Sequence, residues 1–262
     1  MGGWTPGATA DVGATSLGLA NSSDWLFADG YSGPGFQEYL VLANFTQTDT
    51  PATIKLEYTN GSVQNVPVTV KARSQLYFDV NNANAHPNCS PTSSSPCTVS
   101  DNVAAEVTAP TASIAAERLM YFHKPNDPGC TDIVGEQGPS SHAVYSLPDV
   151  YTGPGFEQWL MLLNPNSHAE VVAITFFADN TIVQKEITLP ATSRTSILLN
   201  SIVTPLANAY PNSAGYGASL EIQAFDSVVN GQTLKSTIVV ESGMYFQGSK
   251  PGGFEMLGYA GG

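Results

Sequence analysis

Ser140, Ser141 and His142 run together in this chain, with Asp132 eight residues upstream of Ser140. A hydroxyl, an imidazole and a carboxylate are the ingredients of acyl transfer, but that chemistry comes from placement in space and not from proximity in sequence. None of them sits in a G-x-S-x-G elbow or an H-E-x-x-H helix, so hydrolysis has no motif to stand on. The stretch "NDPGCTD" (126–132) offers carboxylates that a hard cation such as calcium would take, without the EF-hand spacing. His86, His123, His142 and His168 are scattered and do not make a zinc set with the cysteines. The residue types therefore assign no catalytic group, no metal and no cofactor.

Other reactive groups read as structural. Cys89 and Cys97 bracket a polar loop, "CSPTSSSPC", which a local disulfide would order; Cys130 is then left odd. Glu117 and Arg118 lie in the apolar run "SIAAERLMYF", and Glu241 recurs in a similar run, "VVESGMYF". Neighbours on a strand point to opposite faces, so Glu117 and Arg118 do not pair with each other. A buried carboxylate needs hydrogen bonds or a cation, and Glu117 and Glu241 are expected to be buried, hydrogen-bonded structural groups. A Lys–Asn isopeptide cross-link is disfavoured, because Lys55, Lys71, Lys124, Lys185, Lys235 and Lys250 do not recur in register. Asn21, Asn44, Asn60 and Asn88 each open an N-x-S/T sequon, which permits glycosylation. Trp4, Trp25, Tyr31, Tyr39 and Trp159 could stack on sugar rings, although the matching positions of Tyr39 and Trp159 favour packing.

The elements that would carry these groups are strands. Only 12% of the 262 residues are charged, 42% are apolar, and 24 Gly and 18 Pro punctuate the chain. That is poor material for helices and good material for short strands joined by turns. The net charge of −13, with nine Lys plus Arg, argues against nucleic acid and against an anionic membrane surface. No run approaches the ~20 apolar residues of a membrane span. The start, "MGGWTPGATADVG", has no signal-peptide pattern, so either a leader has been removed or the chain is a piece of a longer protein.

The chain also repeats itself. "GYSGPGFQEYLVLAN" (30–44) returns as "VYTGPGFEQWLMLLN" (150–164), shifted by 120 residues. "TIKLEYTNGSVQ" (53–64) answers "VVAITFFADNTIVQ" (171–184), "ARSQLYFDVN" (72–81) answers "ATSRTSILLN" (191–200), and "AAERLMYF" (115–122) answers "VVESGMYF" (239–246). Such order is the signature of an internal repeat. The GPGF block lacks the third glycine of G-x-G-x-x-G and no helix follows it, so it reads as a turn feeding a strand and not as a phosphate loop. Strands are expected near 36–43, 52–59, 62–70, 74–80, 102–109 and 113–122, and again near 156–163, 170–177, 181–189, 194–199, 217–226 and 235–246. "TNGS" (59–62) predicts a hairpin turn. Strands at this spacing with Gly, Pro and Asn between them predict an all-β protein of two tandem immunoglobulin-like antiparallel β-sandwich domains. Their expected bounds are 24–137 and 138–262, after a joining segment, 1–23. The lead-ins to the two copies and the C-terminal "GGFEMLGYAGG" (252–262) resemble each other, which suggests three joining segments for two bodies.

The set "WLFADGYSGPGFQEYLVLAN…ARS…AERLMYF" resembles a tandem β-sandwich repeat family of bacterial secreted and surface proteins, over nearly all of residues 13–260. The second copy departs from the pattern, with "YSLPDVYTG" and "VESGMYF". The resemblance implies extracellular modules without a catalytic activity. The expectation is a non-enzymatic structural protein, the subunit of a filament or surface array. Copies would join head to tail, with Gly13, Ala14, Thr15, Ser16, Leu17, Gly18 and Leu19 as the donated segment, or with 248–262 in that role. The alternatives are adhesion to glycan or to another cell-surface protein, through the loop 82–101, and a spacer fragment of a longer surface protein.

Overall fold

The computed structural model describes residues 20–59, 61–85, 102–111, 114–124, 127–138, 143–178, 181–202, 217–229, 231–246 and 252–260. The first half contains β1 (Asp24–Phe27), β2 (Phe36–Asn44), β3 (Thr50–Tyr58), β4 (Val63–Val70), β5 (Ser74–Asp79), α1 (Val80–Ala85), β6 (Val103–Thr108), β7 (Ala115–Lys124), β8 (Asp127–Val134) and β9 (Glu136–Gln137). The second contains β10 (Val144–Tyr151), β11 (Phe156–Asn164), β12 (Glu170–Ala178), β13 (Thr181–Leu189), β14 (Ser193–Leu198), β15 (Gly217–Phe225), β16 (Ser227–Val229), β17 (Gln232–Leu234), β18 (Val239–Phe246), β19 (Gly252–Leu257) and β20 (Tyr259–Ala260). In the first half one sheet runs β4-β3-β6-β1-β9 and the other β5-β2-β7-β8; in the second the orders are β13-β12-β15-β10-β20 and β14-β11-β18-β19. The pairings are antiparallel, and the protein is an all-β sandwich fold.

Alternation builds each core. Along β2, Leu40 and Leu42 are sealed while Tyr39, Val41 and Ala43 are half-buried, as a strand with period two requires. The first core gathers Trp25, Phe27, Leu40, Leu42, Ile54, Leu56 and Val107, and the second gathers Tyr145, Leu147, Leu160, Leu162, Ile174, Phe176 and Ile222. The registers match residue for residue: Val41 faces Glu117 and Tyr77, and Met161 faces Glu241 and Ser196.

The repeated GPGF block is a turn, as expected. Phe36 N–H donates to Gly33 O and Phe156 N–H to Gly153 O, with Gly35 and Gly155 in the left-handed region at φ 84° and 81°. Proline then glycine at the two central positions is the type II preference. The side-chain amide of Asn81 fastens the first turn through Ser32 O and Phe36 O, and Asn200 does the same through Thr152 O and Phe156 O. Tyr31 and Tyr151 cover Gly33 and Gly153, where a Cβ would come within 2.5 Å and 2.2 Å of the tyrosine side chains. The "TNGS" turn also forms. Gly61 sits at φ 77°, its N–H donates to Tyr58 O, and β4 begins at Val63, so the loop is longer than the two-residue form that Asn-Gly suggests.

Two of the joining segments, 127–137 and 252–260, are strands of the halves themselves. β8 runs into Gly135 and then β9, which pairs with β1; β19 runs into Gly258 and then β20, which pairs with β10. The C-terminal stretch, expected to lack a body, therefore closes the second half as 127–137 closes the first. Gly35→Ala is expected to lower stability by about 1–2 kcal/mol, the cost of a side chain in the left-handed region, read as a reduced urea midpoint at unchanged slope. Gly33→Ala is expected to cost more, because it also displaces the Tyr31 ring.

Candidate functional site at the junction of the halves

The two halves meet through sheet faces that point away from their own cores. On β1 the core takes Trp25 and Phe27, which leaves Leu26 and Ala28 on the outer face, joined there by Ala104 of β6. Met161 and Leu163 of β11 and Val239 of β18 cover them, with Trp159 and Leu257 at the margin. All six central residues are at most 4% exposed, so this is a sealed apolar seam.

A buried ionic cluster runs beside the seam. Arg118, on the inner side of β7, is fully buried. It donates through Nη1 to Asp29 O at 2.6 Å, with Glu241 Oε2 at 2.9 Å, and through Nη2 to Glu255 Oε2 at 2.6 Å. Arg194 of β14 reaches the other way, donating to Ala28 O, Gly30 O and Asp29 Oδ1 at 3.1–3.3 Å. The Glu241 carboxylate accepts the backbone N–H groups of Ala28 at 2.9 Å and Asp29 at 3.0 Å. Each half thus sends an arginine and a carboxylate into the other, and a separated half would leave charge buried without a partner, the costly case for an ion pair.

Glu38 and Glu255 complete the cluster, so four carboxyls share two guanidinium groups. Neutrality inside a low-dielectric junction requires two of the four to keep their protons. Burial pushes Glu38 and Glu255 up to about 8, ahead of the opposing pull of Arg118. Burial also acts to raise Asp29, but Arg118 and Arg194 outweigh it and hold that carboxyl below its ordinary value. Glu136 is lifted to about 7 by burial and by Glu241.

A cleft of about 470 Å³ opens at one end of the seam. The rings of Tyr31, Phe36, Trp159 and Tyr245 line it, together with Asp29, Asn102, Glu157 and Ser196. Tyr31 meets Phe36 edge-on at 4.8 Å, and Phe36 meets Tyr245 edge-on at 6.4 Å. Aromatic walls with acceptor groups between them suit a ligand that has both a C–H face and hydroxyl donors.

The residues singled out from sequence are distributed as follows. Glu241 is buried and hydrogen-bonded, as expected. Glu117 is not its counterpart in burial: it is half-buried on the outer face of β7, and Arg118 takes the interior place. Burial and Asp132, through a hydrogen bond and its charge, raise Glu117 to about 7. Asn44 is buried with its amide committed to Thr48 O and Val70 O, so it is a loop clamp and has no room for a glycan. Asn164 repeats the clamp through His168 O and Pro190 O. Asn21 is exposed. Trp25 is fully buried and donates to Ile114 O at 3.0 Å, which removes it from any sugar platform; Tyr39 lies on a different face, edge-on to Tyr77. The "NDPGCTD" stretch enters β8 at Asp127, and Asp132 lies half-buried further along that strand. Among the described residues no group of three or more His, Cys, Asp and Glu is placed to hold a metal. Cys130 is buried as a free thiol, and burial raises it. Cys89, Cys97, Asn60, Asn88, Trp4, Ser140, Ser141, His142, the segment Gly13 to Leu19 and positions 86–101 of the long loop lie outside the described residues.

No family model matches the chain, and no curated protein matches it. Among solved structures, the crystal structure of Thermotoga maritima 1070 is similar at a TM-score of 0.36 and 12% identity, over 45% of this chain and 97% of that one.

The charge balance fixes a pH dependence. A carboxyl held above its unfolded value binds a proton in the folded chain that the unfolded chain has lost. Stability from Glu38 and Glu255 is therefore complete below their ordinary 4.5 and is lost as pH rises through about 8. Asp29 works in the opposite sense, losing its contribution as pH falls below its ordinary 3.8. Urea unfolding is expected to give lower stability at about pH 9 than at about pH 5, and Glu38→Gln, which mimics the protonated acid, is expected to flatten that slope.

Proposed function

We propose that the chain is a non-enzymatic structural protein of the cell exterior, a subunit of a filament or surface array in which β-sandwiches stack end to end. The junction carries this reading. Its two halves are held together by an apolar seam and reciprocal arginines, a joint that would fix one orientation between successive units of an array. The resemblance of the sequence to tandem surface repeats points the same way. Copies join head to tail, with the segment 13–19 donated to a neighbour's sheet edge, and a heterologous contact of that kind yields an open filament. Negative-stain microscopy and light scattering on the same sample test it. Regular fibres are expected, and they are expected to be lost when residues 1–23 are removed; a single-chain mass at every concentration would overturn the reading.

The cleft favours a second reading, capture of a neutral saccharide at an adhesion surface, because its rings and oxygen acceptors match the two faces of a pyranose. A glycan array is expected to return hits that weaken when the exposed rim residue Thr59 is replaced by Trp, which fills the cleft without removing a ring. Hits indifferent to that substitution would place the sugar elsewhere.

A further inference from the structure

The outer face of the sheet β5-β2-β7-β8 in the first half is the counterpart of a face that is covered in the second. Register gives the equivalences directly. Tyr39, Val41 and Ala43 stand where Trp159, Met161 and Leu163 stand, and Leu119 and Tyr121 where Gly243 and Tyr245 stand. Glu117 occupies the place of Glu241, and Asp132, paired with Leu119, the place of Glu255, paired with Gly243. In the second half this face takes the first half's Leu26, Ala28, Asp29 and Arg118. In the first half the same face is partly open: Tyr77 is 54% exposed and edge-on to Tyr39, and Val41, Leu119 and Tyr121 are half-buried. Its two carboxylates lean on each other with no cation paired to either among the described residues. One oxygen of Asp132 is out of water without a hydrogen-bond partner.

We infer that this face is a docking surface for another sandwich of the first-half type, whose equivalent of Arg118 enters between Glu117 and Asp132. The inference rests on the stacking reading above and names the partner for this one surface. The chain's own second half does not present the required end. Where the first half has Glu38 and Arg118, the second has Gln158 and Ser242, joined to each other by Gln158 Nε2 donating to Ser242 Oγ at 2.7 Å. Where Ala28 N–H donates to a carboxylate, the second half has Pro148, which has no N–H. Gln158 and Ser242 satisfy each other, so that end offers no guanidinium to Glu117 and Asp132.

The test is a chain in which residues 24–143 occur twice in tandem ahead of the second half, with Cys130→Ser in the leading copy. The remaining Cys130 pairs with Tyr121 in the register of the face under test. Its alkylation, followed by peptide mass spectrometry, is expected to slow by about tenfold or more relative to the parent chain, as a protected site does when its opening is suppressed. Arg118→Met in the leading copy is expected to restore the parent rate, and small-angle scattering is expected to show one rod of three sandwiches. A folded leading sandwich with Cys130 reacting at the parent rate would overturn the inference. If the added copy does not fold, the same question is put to the parent chain with Pro148→Ala, Gln158→Glu and Ser242→Arg. Concentration-dependent association that vanishes with Glu117→Lys supports the inference; a folded single chain at all concentrations overturns it. Fibres of the unaltered chain that depend on residues 1–23, with no protection of Cys130, would leave the stacking reading standing and this inference fallen. Protection of Cys130 with no fibres would do the reverse.

Discussion

Arg118 is the group on which the arrangement of the molecule depends. It belongs to the inner side of a strand in one half, yet its hydrogen-bonding capacity is met mainly by Glu241 and Glu255 of the other and by the backbone of Asp29. A guanidinium cannot shed its charge at any accessible pH, so its burial commits the first half to a neighbour. The apolar seam supplies contact area, but Leu26, Ala28 and Ala104 would tolerate many partners. The ionic cluster selects one orientation, because a shifted or rotated partner would leave carboxylates or N–H groups out of water and unpaired.

The same cluster explains why protons belong to the structure. Two cations among four acids leave an excess that the interior cannot hold, and burial pushes Glu38 and Glu255 up to about 8, toward their protonated forms. Asp29 keeps its charge because both arginines converge on it. The second half solves the equivalent inner positions with Gln158 and Ser242, which carry no charge and satisfy each other. Two copies of one scaffold therefore differ in a decisive physical property: one has an interior that demands a partner, and the other does not.

Much of this fold was legible in the sequence. Apolar alternation, Asn and Gly at turns and the 120-residue echo place most strands within a residue or two, and Gly33-Pro34-Gly35-Phe36 reads correctly as a turn. The candidate site was legible only in part. Period two says that Glu117 and Arg118 face opposite ways, but not which way either faces, since both lie among apolar neighbours and the choice is settled by a contact with residues more than 120 positions away. Aligning Glu117 with Glu241 was sound, but their surroundings differ because only one of the two faces is covered within the chain. The short strands β1, β9 and β20 were hidden for the same reason: four or two residues carry no periodicity, and their identity comes from pairing with distant strands.

The Gln158–Ser242 pair also bears on the order in which the molecule is finished. A ribosome delivers the first half before the second, with Arg118 and Glu38 already facing inward and their counterparts Glu241 and Glu255 still unmade. That body has every strand of its two sheets by Gln137 and still lacks what settles its interior. The second half, made later, needs nothing from outside to close its equivalent positions. Synthesis and maturation thus run in opposite directions between the halves: the older waits for the younger, and the stretch around Glu255 completes a structure begun more than two hundred residues earlier.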